Sequence, residues 1–347
     1  MVDRNPDTRQ LSTVNHHPIS HKVVYMKRIG VLTSGGDAPG MNACIRAIVR
    51  TALAHDIEPI GIPRGYAGLL AGDVQPLSSR SVGGIARWGG TILQTARSKE
   101  FMTPEGFQKA LGNVELIGLD GLVIIGGDGS LRGALELHKA GVPCVGVPAS
   151  IDNDIPGTDM SIGVDTATNT ILEAVDKIKD TASAHGRAFV IEVMGRRSGY
   201  LALAAGVAGG AEMVIAPERP ISIDDILREM AQSHERGKPH FIIVVAEGAR
   251  PNAQQICDVL QSAEHPEFEA RLTVLGHVQR GGSPTAYDRL LATKLGNAAV
   301  DALIAGQSGI MVGIKVSEPI PMSLDEILAQ ERPADEDLLK LEETISL

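Results

Sequence analysis

Residues 28–43 read RIGVLTSGGDAPGMNA. The residues after Arg28 are apolar or small and do not alternate with charged ones, which is typical of a strand buried on both faces of a sheet. Two glycines, an aspartate and a proline then lead directly into a helical pattern over 39–54. A buried strand, a glycine turn and a helix are the parts of a βαβ unit, so this segment predicts an α/β fold.

The same pattern recurs along the chain. Further strands are predicted at 58–63, 121–127, 143–148, 188–195, 212–217, 240–248 and 309–316. Further helices are predicted at 129–140, 164–182, 222–236 and 283–305. The alternation predicts an α/β protein with two doubly wound domains and mostly parallel sheets. Residues 1–25 are polar and contain proline, and we interpret them as a flexible arm, whereas the acidic tail 335–347 is either a helix or merely solvated.

Composition narrows the functional class. The chain has 347 residues of which 43% are hydrophobic, enough for a substantial core. Its three cysteines are far apart, which favours neither a disulfide framework nor a zinc site. A net charge of −10 argues against nucleic acid or an anionic membrane as the main partner. There is no apolar run of about 18 residues and no apolar core of a signal peptide near the start, so we expect a cytoplasmic protein.

Two glycine loops follow predicted strands, where ligands bind in such folds. Gly35 and Gly36 allow backbone amides to approach an anion at a helix N-terminus, so the first loop is either a phosphate cradle or only a tight turn. The second loop, IIGGDGSLRGA at 125–135, repeats the design. Asp128 would suit Mg²⁺ beside phosphate oxygens, and the alternative is a helix cap. Neither loop matches the P-loop or the dinucleotide-binding pattern.

A third loop, PASIDNDIPGTDMSIG at 148–163, carries Asp152 and Asp154. In extended backbone this spacing places both carboxylates on one side. Two close carboxylates raise each other's pKa, and a cation lowers it, so one of them can serve as a general base. The alternative is a turn rich in aspartate and asparagine that only satisfies its own backbone.

Cationic side chains follow or close several strands. Guanidinium groups bind phosphate oxygens in a bidentate manner, which suggests a substrate phosphate distinct from the donor phosphates. The alternatives are solvated arginines and a structural histidine. The residues in question are Arg97, Arg187, Arg196, Arg197, Arg271, His277 and Arg280.

Five motifs in this order carry a family resemblance: GVLTSGGDAPGMNA, VIIGGDGS, IDND, EVMGR and GHVQRGGSP. From about Arg28 to the end, the chain resembles the bacterial-type 6-phosphofructokinases, and only the part before Met26 falls outside the match. The resemblance implies an enzyme that uses Mg²⁺ and ATP to phosphorylate the 1-hydroxyl of fructose 6-phosphate in glycolysis.

The resemblance also implies roles for single residues. Asp152 would be the base, Arg196 would stabilise charge on the transferring phosphoryl group, Asp128 would organise Mg²⁺, and Asp154 would hold the sugar. Ser150 stands where the family usually has Thr and keeps the hydroxyl. Positions expected around ATP are Gly36, Tyr66, Arg97, Ser98, Gly127, Asp128, Gly129, Ser130 and Gly133. Positions expected around the sugar within one subunit are Met194, Gly195, Glu247, His277 and Arg280.

Further implications concern assembly and control. Arg187 and Arg271 would bind the sugar phosphate across a subunit boundary, which implies a homotetramer. An anionic effector would bind at a second site formed by Arg46, Arg50, Lys179, Glu212, Arg236 and Lys238. By analogy, residues 26–163 and 279–329 would form the nucleotide-binding domain, and residues 164–278 and 330–347 the sugar-binding domain.

The residues alone leave three alternatives to an ATP-dependent kinase: a pyrophosphate-dependent enzyme, an inactive homologue and an oxidoreductase. Pyrophosphate-using relatives resemble this chain in most motifs, but they typically carry Asp and Lys where it has Gly129 and Ala149, so these small residues favour ATP. Ser98 and Met102 replace an aromatic residue and an arginine near the nucleotide, which leaves nucleotide preference open. A catalytically inactive regulatory homologue would lose charged site residues, and a nicotinamide oxidoreductase would leave the IDND motif and the arginines without purpose.

Overall fold

The computed structural model describes residues 26–262 and 268–345, so the predicted arm 1–25 lies outside the described residues. The strands are β1 (Arg28–Ser34), β2 (Glu58–Ile62), β3 (Gln75–Pro76), β4 (Gly121–Gly126), β5 (Cys144–Pro148), β6 (Arg187–Val193), β7 (Met213–Ile215), β8 (Phe241–Ala246), β9 (Glu269–Val274), β10 (Ile310–Lys315) and β11 (Glu318–Ser323). The α-helices are α1 (Met41–Ala54), α2 (Tyr66–Ala71), α3 (Pro104–Ile117), α4 (Asp128–Lys139), α5 (Val164–His185), α6 (Tyr200–Gly209), α7 (Ile223–Glu235), α8 (Ala253–Ser262), α9 (Ala286–Ile304), α10 (Leu324–Leu328) and α11 (Glu336–Ile345).

The larger sheet has the strand order β11-β10-β5-β4-β1-β2-β3. Its interior pairs are parallel, and the edge strands β3 and β11 run antiparallel to their neighbours. Ser34 pairs in register with Gly126, and Gly126 with Pro148. Strands β1, β4 and β5 therefore end at one level, and the three loops singled out in the sequence emerge side by side.

The smaller sheet has the order β7-β8-β6-β9 and is parallel throughout. Val193 pairs with Ala246, and Glu192 with Val274, so β6, β8 and β9 also end level with one another. The α/β class with mostly parallel sheets is confirmed. The domain boundaries stay a prediction, although the two sheets fall on either side of them.

Helix packing fixes how the first glycine loop is held. Helix α1 buries Met41, Ile45 and Ile48, which recur at helical spacing. Gly296 of α9 lies against α1, because a Cβ there would stand 2.8 Å from the carbonyl oxygen of Cys44. Gly40, at φ +110°, begins α1 where a Cβ would strike Ile162. The helix start is thereby packed against the end of the third loop.

The predicted strands and helices all occur, with ends that differ by a few residues. Elements that were not predicted include β9, β11, α3 and α6. Strand β9 reads EARLTV at a sheet edge and is charged, and α6 reads YLALAAGVAG and lacks a helical periodicity because apolar residues surround it. The acidic tail forms α11, which resolves the alternative left open. No helix among the described residues is both long enough and apolar enough to span a bilayer.

Candidate active site

The ends of β1, β4 and β5 form a cradle of backbone. A Cβ on Gly126 would stand 2.5 Å from the carbonyl oxygen of Ser34 and 2.6 Å from Oγ of Ser130, so only glycine allows the first two loops to touch. Gly35 has φ +86°, in the left-handed region that favours glycine. The glycines are therefore required by close approach, and glycine loops of this kind can present backbone N–H groups to an anion.

Helix α4 points its N-terminus at this space. Its cap is Gly127, and Asp128 is the first helical residue, so the interpretation of Asp128 as the helix cap is wrong. Arg132 Nε donates to Oδ2 of Asp128 at 3.0 Å. The positive end of the helix dipole and this arginine both favour an anion here.

A cavity of about 1360 Å³ joins this cradle to loops of the smaller sheet. All of the residues predicted around ATP line it: Gly36, Tyr66, Arg97, Ser98, Gly127, Asp128, Gly129, Ser130 and Gly133. Among the predicted catalytic and sugar residues, those that line it are Ser150, Asp152, Asp154, Arg196 and Arg280.

Asp152 lies at the junction of the two sheets and is only 2% exposed. Its Oδ2 is 3.3 Å from Nε of Arg196, and its Oδ1 is buried without a hydrogen-bond partner. Burial, followed by the nearby carboxylate of Asp154, raises the pKa of Asp152 to about 6, although Arg196 and Arg280 lower it. Asp152 is therefore an ionisable group with one free acceptor atom and a pKa suited to proton transfer near neutral pH.

The backbone of the third loop orients the two carboxylates. Ser150 Oγ donates to Oδ1 of Asp154 at 2.9 Å and accepts from the amide of Asp152 at 3.3 Å. Asn153 adopts φ +48°, and its Oδ1 accepts from the amide of Ser161. The turn interpretation is thus correct for Asn153, whereas the orphaned oxygen of Asp152 is not explained by a self-satisfied turn.

Loops of the smaller sheet supply side chains from the opposite wall. Arg196 has φ +54°, and its amide donates to Oε1 of Glu247 at 2.7 Å. The 3₁₀ turn Gly276–Arg280 brings Arg280 across, and its Nη1 donates to the carbonyl of Asp37 at 3.3 Å. Gly36 permits this approach, because a Cβ there would collide with Arg280. The arginines of one sheet thus reach the glycine loop of the other.

Six predicted sugar residues do not line the cavity of a single chain: Arg187, Met194, Gly195, Glu247, Arg271 and His277. Arg187 donates to Oε2 of Glu269 at 2.8 Å, and Arg271 pairs with the other oxygen of Glu269. Arg187 is the first residue of β6, about 20 Å of strand away from the end that carries Arg196. Arg187 therefore cannot reach a ligand at Asp152 of its own chain.

The predicted effector residues fall into two places. Glu212 Oε1 is 3.6 Å from Nζ of Lys238 and 3.9 Å from Nε2 of His240, and its Oε2 accepts from the amide of Ile242. Lys179 Nζ donates to the carbonyls of Gly209 and Gly210 close by, and Arg236 pairs with Glu229. Arg46 and Arg50 lie on α1, and the hydrogen bonds and ion pairs of the described residues do not connect them to this cluster.

An aromatic wall lines the cavity, and of its residues only Tyr66 was predicted from the sequence. Tyr66 stacks on Phe101 with ring centroids 4.2 Å apart, and Phe101 meets Phe107 edge to face. The hydroxyl of Tyr66 donates to the carbonyl of Ser130 at 2.6 Å. Gly133 makes room for this ring, since a Cβ would stand 2.6 Å from it. Because aromatic residues are only 3% of the chain, the pair in EFMTPEGF was the available signal.

The chain is similar to proteins of one family. The family model described as Phosphofructokinase matches residues 28–303. The ATP-dependent 6-phosphofructokinases of Halalkalibacterium halodurans and Bacillus cereus are 52% and 53% identical over 322 residues, which cover 93% of this chain and 100% of each relative. The solved phosphofructokinase of Saccharomyces cerevisiae aligns with a TM-score of 0.81 and 38% identity over 87% of this chain, which spans 45% of that yeast chain.

Proposed function

The chain belongs to the phosphofructokinase family, and from this premise we propose that it transfers the γ-phosphoryl group of ATP to the 1-hydroxyl of fructose 6-phosphate. The observation that carries the proposal is Asp152, a buried carboxylate that lines the cavity beside the glycine loops and whose Oδ1 has no hydrogen-bond partner. A hydroxyl placed beside this carboxylate would donate its proton to it as it attacks the donor phosphate. Burial keeps water away from the reaction, and Asp152 is ionised at neutral pH because its pKa is about 6.

The cavity suits the donor along its whole length. The N-terminus of α4 and the loops of β1 and β4 receive the phosphates, and the mostly buried rings of Tyr66 and Phe101 form an aromatic wall beside the space for the nucleoside. Gly129 and Ala149 keep the space between them open, and a Cβ on Gly129 would meet nothing within 4 Å. Pyrophosphate has no group that would use the aromatic wall, so this extension favours ATP, as do the names of the curated relatives.

The residues fit a magnesium ion shared with the substrate. Among the described residues no three carboxylate, histidine or cysteine side chains converge as metal ligands. Asp128 provides a single carboxylate beside the cradle, and Mg²⁺ characteristically binds one or two carboxylates together with substrate phosphates. When bound there, Mg²⁺ would neutralise phosphate charge. Arg196 faces the transferring group from the other wall and stabilises its developing negative charge.

The proposals for assembly and regulation concern predicted residues that do not line the cavity of a single chain. We assign Arg187 and Arg271 to the sugar phosphate of a neighbouring subunit, because neither reaches the cavity of its own chain. This arrangement requires an oligomer, for which we propose a homotetramer. The cluster of Lys179, Arg236 and Lys238 is assigned to an anionic effector. We place the enzyme in the cytoplasm, where its two phosphorylated substrates are found.

A purified-protein assay tests the proposal. ADP release would be followed with and without fructose 6-phosphate, and ATP would be replaced in turn by GTP, ADP and pyrophosphate. We expect sugar-dependent turnover with ATP and Mg²⁺ and none with pyrophosphate. Turnover with pyrophosphate alone would contradict the choice of donor, and ATP hydrolysis that ignores the sugar would contradict the choice of acceptor.

A further inference from the structure

The chain segment between α10 and α11 lies along one side of the catalytic cavity. Residues 330–335 of this segment line the cavity together with Pro156 of the third loop and Tyr200 of α6. The segment carries the chain from the larger sheet back to the smaller one, and Arg332 at its centre is half-buried. A charged side chain in this position is removed from water and needs partners within the protein.

Within the described part of the chain, the hydrogen-bond partners of Arg332 are all in the third loop. Its Nη1 donates to the carbonyls of Ile155 at 3.2 Å and of Thr158 at 2.5 Å, and its Nη2 donates to the carbonyl of Asp159 at 2.9 Å. A guanidinium fork is rigid and planar, so three carbonyls bound to it are held in one geometry. These carbonyls belong to the turn that directly follows Asp154.

The same turn is coupled to the residue between the two catalytic carboxylates. Asn153 Nδ2 donates to the carbonyl of Asp159, which also accepts from Arg332. On its far side, Asp159 accepts from the amide of Val316 and pairs with Lys315. The loop is therefore fixed to the β10–β11 turn on one side, and Arg332 fixes it on the side of the cavity.

We infer that Arg332 is a positioning residue for phosphoryl transfer, which acts on Asp152 and Asp154 through the carbonyls of residues 155, 158 and 159. This inference rests on the proposed function, since the loop is taken to hold the base. Without the guanidinium, the carbonyls of Ile155 and Thr158 lose their side-chain donor, that of Asp159 keeps only Asn153, and the loop relaxes. A displacement of about 1 Å at the reacting group costs roughly 100-fold in rate.

A purely structural role is the alternative, in which Arg332 only ties down the C-terminal part of the chain. Arg219 offers a matched control, because it pairs with Glu342 and Glu343 of α11 and does not contact the third loop. Arg219→Met loosens α11 from the smaller sheet and leaves the carbonyls of the loop satisfied. Arg332→Met keeps most of the length of the side chain and removes its donors.

The experiment compares the full-length wild type with Arg332→Met, Arg332→Lys and Arg219→Met. Steady-state kinetics would give kcat and KM for each substrate, and hydrogen–deuterium exchange would follow peptides that cover residues 150–162. In wild type, the amides of Asp159, Ser161 and Ile162 donate hydrogen bonds within the protein, so we expect them to exchange slowly. Wild-type turnover in the same assay checks the proposed function separately.

For Arg332→Met we expect kcat to fall by roughly 10–100-fold, a smaller rise in KM for the sugar, an unchanged KM for ATP and faster exchange in 150–162. Lysine restores part of kcat, as does free guanidinium ion at a concentration that does not denature the protein. Arg219→Met should leave both readouts as in wild type. If Arg332→Met folds poorly, the lysine variant carries the test, with an intermediate kcat and a partial loss of protection.

Two results would overturn the inference. One is wild-type kcat in Arg332→Met or, if that variant misfolds, in Arg332→Lys. The other is a loss of kcat and protection that Arg219→Met reproduces, since it would trace the effect to general loosening of the C-terminal segment. An inactive wild type would instead contradict the proposed function, while the exchange data would still report whether Arg332 holds the loop.

Discussion

The two walls of the cavity are built on opposite principles. At the end of the larger sheet, glycine loops in close contact and the start of α4 form the floor of the cavity, beside the carboxylate of Asp128 and the aromatic rings of Tyr66 and Phe101. At the end of the smaller sheet, long side chains form the wall, and Arg196 with 55% of its side chain exposed is typical of them. A wall made of backbone is preformed, whereas a wall of arginines has to be oriented by its ligand or by a neighbouring subunit.

This difference predicts two kinds of mutational response. Where glycines of the backbone wall are closely packed, as at Gly126, a single added group meets backbone atoms that cannot move, so losses should be abrupt. At an open position such as Gly129, only an added charge should matter. In the arginine wall each residue contributes a charge-assisted hydrogen bond, so losses should be graded. The residue that touches both walls, Asp152, should be the most sensitive of all.

Asp152→Asn should produce the largest effect, a loss in kcat on the order of 10²–10⁴-fold, because the general base is removed. The folded-state pKa of about 6 lies above the ordinary value, so the charged form is disfavoured in the folded protein. This penalty is present above pH 6 and is relieved as the pH falls towards 4. The amide of the variant is neutral at every pH, so the variant should be more stable at pH 8 by up to about 3 kcal/mol and gain little at pH 4. A coupled assay and urea unfolding at both pH values measure the two effects, and near-normal turnover would refute the assignment.

Gly129→Asp should give the next largest effect, an increase in KM for ATP on the order of 10–100-fold, because a like charge enters the phosphate space. Gly129→Ala is the control, since a Cβ at this position meets nothing within 4 Å and adds no charge. If alanine were as damaging as aspartate, the cause would be backbone strain rather than charge, and the backbone wall would be more sensitive than we propose.

Arg271→Met should show the graded loss expected of an arginine that binds the sugar phosphate of a neighbouring subunit. We expect KM for fructose 6-phosphate to rise about tenfold with kcat and KM for ATP unchanged, as for one lost charge-assisted hydrogen bond. Arg228→Met serves as the control, because Arg228 lies on α7 and pairs only with the neighbouring Asp225 among its described ion pairs. A collapse of kcat in Arg271→Met would place this residue in the chemical step and break the contrast.

The smallest expected effect is a shift in the pH dependence of activity when the ion pair between Asp152 and Arg196, which joins the two walls, is removed. In wild type, kcat/KM should fall to half near pH 6 and to about one tenth near pH 5, because only ionised Asp152 accepts the proton. Arg196 lowers the pKa of Asp152, so Arg196→Met should move this midpoint to higher pH. A midpoint that stays in place would show that the ion pair across the cavity is not maintained in solution.

The backbone wall was the part that could be predicted from sequence. The buried strand, the glycine turn and the helix start are encoded within a few residues of Gly35 and of Gly126, so local patterns sufficed for the loops and for Asp128. The prediction of Asp152 also needed only its own loop and the family motif. Its pKa required the structure, because burial and the charge of Arg196 come from packing.

The remaining features depend on contacts between distant parts of the chain, and no local pattern reveals them. Glu269 forms ion pairs with Arg187 and Arg271 because β6 and β9 pair in a register that cannot be read from the sequence. Arg332 meets the catalytic loop from more than 170 positions away. The stacking of Phe101 on Tyr66 also depends on tertiary packing. Such contacts require the three-dimensional arrangement of the sheets.

The position of β10 in the larger sheet has a consequence for how the chain folds during synthesis on the ribosome. Strand β5 takes β10 as its outer neighbour, and β11 then closes that edge of the larger sheet. About 160 residues are translated between these strands, which takes roughly 10–30 s at ordinary speeds of synthesis. Throughout this interval the outer edge of the apolar strand Cys144–Pro148 leaves backbone N–H and C=O groups unpaired, and these can template the addition of another strand. The nascent chain is therefore exposed to premature association until β10 emerges, and chaperone binding during synthesis would protect this one edge.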